Sequence, residues 1–185
     1  MLHTDKNQLI ARRFIKKLNS AKGDDALFTN DLNTWWKAIL QNQKQAWLTM
    51  HSGSMYPLMP TGSQILVKSI EHQQINVGDI VLYIEKNKFI AHRVLKINAA
   101  ENQCLQGDDN TISTSFISID SIIGVVKKIK KANGKEFDLS NRAGVLLTRF
   151  ITITCLGIIV IRRRCPKVGY LLHRLKILLV RILVT

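Results

Sequence analysis

Acidic residues are scarce in this chain. Thirteen Asp and Glu stand against 27 Lys and Arg, giving a formal net charge of +14 over 185 residues. That length allows one domain with extensions. The imbalance favours anionic partners: lipid headgroups, nucleic acid or acidic peptides. Aromatics are also few, at 6%, and the basic residues do not interleave with them mid-chain. They gather near both ends, beside apolar runs. A base-stacking platform needs aromatics among its cations, so a nucleic-acid partner is not expected; a lipid surface suits the pattern better.

Cysteine is sparse too. Cys104, Cys155 and Cys165 are odd in number, form no C-x-x-C, and two lie in an apolar tail. This argues against a disulfide framework and a zinc site, so no metal or other cofactor is expected and the thiols read as buried or lipid-facing. Residues 1–20 lack an unbroken apolar core, being interrupted by Lys6, Arg12, Arg13, Lys16 and Lys17. No secretory signal is expected there.

The patterning divides the chain into three regions. Residues 1–46 read as a basic helical extension. Leu9, Ile10, Phe14, Ile15 and Leu18 recur at helical spacing from Gln8 to Leu18, Gly23-Asp24-Asp25 breaks the pattern, and Asn33-Thr34 can cap a second helix through Trp35, Trp36, Ile39 and Leu40. The tryptophans suit either a core or a membrane interface. Residues 47–140 read as a mainly β domain. Strands are expected at Gln64–Lys68, Asp79–Ile84, Phe89–Ile97 and Ile122–Ile129, with turns at Lys86-Asn87-Lys88 and Asn133-Gly134.

Residues 141–185 read as an apolar and basic helical tail. Val145–Ile161 is apolar except for Arg149, and Arg162-Arg163-Arg164 then precede Pro166. A helix over that run is about 25 Å long, at the short limit for a ~30 Å hydrocarbon layer. In Val168–Val184, Leu171, Leu175, Leu178 and Ile182 form one stripe among His173, Arg174, Lys176 and Arg181, the pattern of an interfacial amphipathic helix. The alternative is that both helices pack on the domain or on a partner. Both flanks of the apolar run are basic, so charge does not orient it.

The chemistry concentrates in Ser52-Gly53-Ser54-Met55-Tyr56-Pro57, then Ala91-His92-Arg93-Val94, then Gln106-Gly107-Asp108-Asp109-Asn110. A serine hydroxyl attacks poorly unless a base takes its proton, and a neutral imidazole does this near pH 7. A carboxylate can fix the imidazole tautomer. His51 is the rival base by sequence proximity. In the expected strand, Ile90, His92 and Val94 share one face, with Ala91, Arg93 and Leu95 on the other.

These blocks, with Gly78-Asp79-Ile80-Val81 between the first two, resemble type I signal peptidases over roughly residues 47–131. The nearest branch is the endoplasmic-reticulum, archaeal and sporulating-bacterial kind, with a Ser–His pair; the commoner bacterial branch has lysine where this chain has His92. The chain looks most like short bacterial relatives without the N-terminal anchor. The resemblance implies a coiled β-sheet fold, Ser54 as nucleophile, His92 as general base and Ser52 as an oxyanion donor beside the Ser54 amide. It implies cleavage of a signal or leader peptide after small residues, at a membrane, for a bacterium the inner one. Asp108 matches the first aspartate of the family's third block. The later acid usual in the family is replaced here by Ser113-Thr114-Ser115, which leaves Asp108, Asp109 or no acid to complete a triad. Gly78-Asp79 reads as a turn, and Arg93 as a structural residue that either pairs with a carboxylate or steadies the strand. Two other readings stay open: a non-catalytic membrane adaptor on a degenerate peptidase fold, and a self-cleaving regulator of the SOS-repressor kind, which uses lysine as base.

Overall fold

The computed structural model describes residues 34, 36–40, 42–69, 74–86 and 88–184. The helix expected over Gln8–Leu18 lies outside these, as does Trp35. Residues 36–40 are helical and bury Trp36 and Leu40 in the core. Trp36 meets Phe89 edge-on, with ring centroids 5.1 Å apart, so its place is in the core.

Among the described residues, eight strands come next: β1 (Gln45–Thr49), β2 (Gln64–Lys68), β3 (Ile80–Glu85), β4 (Lys88–Asn98), β5 (Gln103–Gly107), β6 (Thr114–Ser118), β7 (Ile122–Lys130) and β8 (Glu136–Asp138). They form one antiparallel sheet in the order β1-β2-β7-β3-β4-β5-β6, with β8 on β7. The mainly β reading stands. The four expected strands are present as β2, β3, β4 and β7. The turn at Asn133-Gly134 is closed by the Gly134 amide on the Lys131 carbonyl at 2.9 Å.

Apolar side chains pack on both faces of the central strands. Ile80, Leu82 and Ile84 join the main cluster, with Ala91 and Leu95 of β4 and Ile65 and Val67 of β2. Val81, Val94, Cys104 and Val125 join a second, smaller cluster. This is why β3 reads as an unbroken apolar run rather than an alternating one. The β3–β4 hairpin pairs Glu85 with Lys88, Val81 with His92 and Ile80 with Arg93. That register sends His92 and Arg93 to opposite sides of the sheet.

Two helices close the chain: α1 (Arg142–Arg164) and α2 (Pro166–Val184). The Asn141 side chain caps α1 by accepting from the Gly144 amide at 2.7 Å. Pro166 opens α2, where a missing N–H costs nothing. The two helices pack closely at Gly169: an added Cβ would lie 2.7 Å from the Arg162 Cα. Ile151 and Cys155 of α1 and Val180 and Val184 of α2 belong to the main core cluster. Contacts therefore run from the tail directly into the β domain.

Candidate active site

The Ser54 turn is anchored by Met55, Leu58 and Met59. Met55 and Leu58 are fully buried and Met59 nearly so, which roots the segment in the core. Ser52 and Gly53 have little to bury, and Ser54 is left half-exposed at the surface. The turn is closed by the Tyr56 amide on the Gly53 carbonyl at 3.1 Å and the Met59 amide on the Met55 carbonyl at 2.9 Å. Ser52 Oγ lies 3.4 Å from Ser54 Oγ, so the two hydroxyls face the same space.

His92 sits mid-sheet in β4, half-buried. Its Nδ1 lies 3.3 Å from the Tyr83 hydroxyl, which reaches across from β3. Burial pushes the His92 imidazole below its ordinary value; the Gln106 amide and the carboxylates of Asp108, Asp109 and Glu85 act in the opposite direction. Gln106 stands opposite Val94 in β5, two residues along from His92 on the same face. Its Nε2 donates to Ser115 Oγ, while its buried Oε1 has no hydrogen-bond partner among the described residues. The ring is thus bracketed by Tyr83 and Gln106. Burial also raises the Tyr83 phenol, so that group stays protonated and able to donate.

Asp108 and Asp109 leave β5 in different directions. The last β4–β5 rung pairs Arg93 with Gly107, so the chain turns away beside His92. Asp108 Oδ1 accepts from the Asn110 amide at 2.5 Å and the Thr111 amide at 2.8 Å, folding the loop over its own carboxylate. Asp109 points inward instead. Arg93 Nε donates to its Oδ1 at 2.9 Å and Arg93 Nη2 to its Oδ2 at 2.6 Å, and both residues are buried. Arg93 Nη1 adds the Gly78 carbonyl at 3.0 Å. Of the two roles open to Arg93, the structure shows pairing with a carboxylate. Gly78, with φ of 99°, is the turn that β3 needs at its start, and Asp79 accepts from the Asn76 amide at 2.9 Å to hold it.

The loop also carries the link to the serine. The Asn110 amide donates to the Ser54 carbonyl at 2.9 Å. One loop thereby joins the two other sequence blocks: the Ser54 turn through the Asn110 amide, and the His92-Arg93 block of β4 through the Arg93–Asp109 pair; Asp108 acts on His92 through its charge. The roles of Tyr83, Gln106 and Asn110 are not visible from motifs. For Tyr83 a signal existed: the turn at Lys86–Lys88 fixes the hairpin register and puts Tyr83 beside His92. No cluster of His, Cys, Asp or Glu able to hold a metal ion occurs among the described residues.

A β-rich domain carrying a paired-serine turn and a bracketed histidine, joined through an Asp-Asp-Asn loop, has the parts of a serine peptidase. The comparison with protein families agrees: the Peptidase S24-like model matches residues 13–139. The chain belongs to this S24-like family of serine peptidases. No curated protein matches it.

Proposed function

We propose that the chain is a serine endopeptidase in which Ser54 is the nucleophile and His92 the general base, cleaving a signal or leader peptide after small residues. The observation that carries this is the Asn110–Ser54 hydrogen bond, which ties the serine turn to the loop beside His92. Ser54 Oγ attacks the peptide carbonyl; His92 takes the hydroxyl proton and returns it to the leaving amine; water then hydrolyses the acyl-enzyme. Ser52 Oγ, beside Ser54 Oγ, is an oxyanion donor in this reading, together with the Ser54 amide. Tyr83 and Gln106 keep the ring in place. Asp108 contributes its negative charge to the imidazolium, while its Oδ1 ties down the loop. Asp109 is already matched to Arg93, which supports Asp108 over Asp109 for that part.

A serine-directed fluorophosphonate probe tests the assignment. Labelling should map to Ser54 and vanish in Ser54→Ala and His92→Ala, with the double variant no worse than either single one. Labelling that survives in folded Ser54→Ala overturns it. A folded wild type that takes no label points to an adaptor. Cleavage confined to the chain itself points to a self-processing regulator.

We also propose that the tail holds the protein on an anionic lipid surface. α1 is long and apolar enough to cross a membrane. Its Ile151, Cys155 and Ile158 are nevertheless buried in the fold, which supports an interfacial helix over a span. The stripe Leu171, Leu175, Leu178 and Ile182 of α2 faces outward, as do Leu146, Ile153 and Val160 of α1. Every charged side chain from Ser140 onward is Lys or Arg, so the charge around this apolar surface matches anionic headgroups.

A further inference from the structure

α2 turns two of its polar residues, His173 and Lys176, inward, while Lys167, Arg174 and Arg181 stay exposed. Lys176 is 3% exposed, among Gly169, Val180 and Val184 on the buried side, while its leucines face out. A lysine is almost never fully buried unless its charge is matched. Here the Lys176 ammonium donates to the Asp109 carbonyl at 2.5 Å and lies 3.4 Å from Cys155 Sγ. One turn earlier, His173 Nε2 meets the Asn110 carbonyl. From the end of α1, Arg162 Nη1 reaches the Thr111 carbonyl at 3.3 Å. Three consecutive carbonyls of the loop beside His92 thus point to cations or an imidazole of the tail.

That loop needs holding. Ile112 has a φ of 57°, the left-handed region in which a β-branched residue is strained; such a conformation persists only when its surroundings over-determine it. Asp108 fixes the loop from within, and Arg93 fixes the Asp109 side chain. The backbone of Asp109 and Asn110, whose amide holds Ser54, is fixed from outside by α2.

We infer that Lys176 and His173 are positioning residues: α2 sets the loop whose Asn110 amide holds the Ser54 carbonyl, and the tail is part of the site as well as its lipid contact. This rests on Ser54 being the nucleophile. The test uses the full chain and two readouts. Amide hydrogen exchange over residues 108–112 reads the loop whether or not the protein is an enzyme. Lys176→Met should raise exchange at Asn110 and Ile112 while the β3, β4 and β7 amides stay protected, because the Arg93–Asp109 pair remains. The maximal rate of Ser54 acylation by a fluorophosphonate should fall about 10- to 100-fold, the scale of a misplacement near 1 Å, with the half-saturating probe concentration unchanged. His173→Ala should do the same more weakly. His173→Gln, which keeps a donor for the Asn110 carbonyl, should restore both readouts. If Lys176→Met does not fold, the two His173 variants decide. Loop amides as protected in the variants as in the wild type overturn the inference. A wild type that takes no label at Ser54, with exchange still raised in the variants, overturns the catalytic reading and leaves the loop contact standing.

Discussion

Asp108 and Asp109 are neighbours with opposite duties. Asp109 accepts from Arg93 in a buried pair. Asp109→Asn leaves the Arg93 guanidinium buried without its counter-charge, and removing one partner of a buried pair costs about 3–5 kcal/mol; the midpoint of urea unfolding should fall accordingly. Asp108→Asn keeps an Oδ1 that can accept from the same two amides, so stability should move within about 0.5 kcal/mol. It removes the negative charge beside His92, and acylation of Ser54 should slow roughly tenfold, the equivalent of one pKa unit. Unchanged acylation together with a large loss of stability would make Asp108 a turn residue only. The His92 imidazole gives a second test at this scale. The neutral ring is the base, and burial lowers its pKa from the ordinary 6.5. Acylation should therefore rise with pH and level off with a midpoint below 6.5. The same shift makes the unfolded chain the better proton acceptor, so the contribution to stability is intact above 6.5 and is lost as pH falls through the folded-state value. A midpoint above 6.5 would show that the surrounding carboxylates outweigh burial.

At the scale of elements, the strands legible in the sequence are those with dense β-branched runs, β2, β3, β4 and β7. The others, β1, β5, β6 and β8, are short and carry Gln, Ser, Thr or acids; their pairing comes from neighbours, and propensity alone does not mark them. The motif blocks single out Ser54, His92 and Asp108 as candidates one at a time. The Asn110–Ser54 link and the Arg93–Asp109 pair are products of the fold, joining residues far apart in sequence. The tail shows the limit most clearly. Its leucine stripe is readable, and it does face outward, but Lys176 and His173 look like water-facing residues until the loop carbonyls they meet are known. The helix pair itself rests on Gly169. An added Cβ there would stand 2.7 Å from both the Cα and Cβ of Arg162, an approach that only backbone movement relieves. Gly169→Val should destabilise the protein by about 1–3 kcal/mol, measured by urea unfolding. It should also raise hydrogen exchange in α2 ahead of the sheet. Equal stability in Gly169→Val would mean that the hairpin is not closely packed.

For the molecule as a whole, the question is what covers the outer side of the tail. Leu171 is 59% exposed and Ile182 66% exposed, in a helix whose inner face is already committed to the core and the loop. Burying each such side chain in an apolar phase gains about 1.5–3 kcal/mol, and each Lys or Arg near an anionic surface adds about 1 kcal/mol. The two contributions predict different signatures. Full-length protein should float with vesicles containing anionic lipid and poorly with neutral ones, and binding should weaken as salt screens the cations. Leu171→Glu with Leu178→Glu should abolish flotation while leaving unfolding by urea unchanged, since neither side chain is part of the core. Alkaline extraction should release the protein, because Ile151, Cys155 and Ile158 stay on the domain and do not enter the bilayer. Resistance to both salt and alkali would instead mean that α1 leaves the domain and spans. A full-length chain that is monomeric, soluble without detergent and indifferent to anionic vesicles would exclude a lipid surface as the cover.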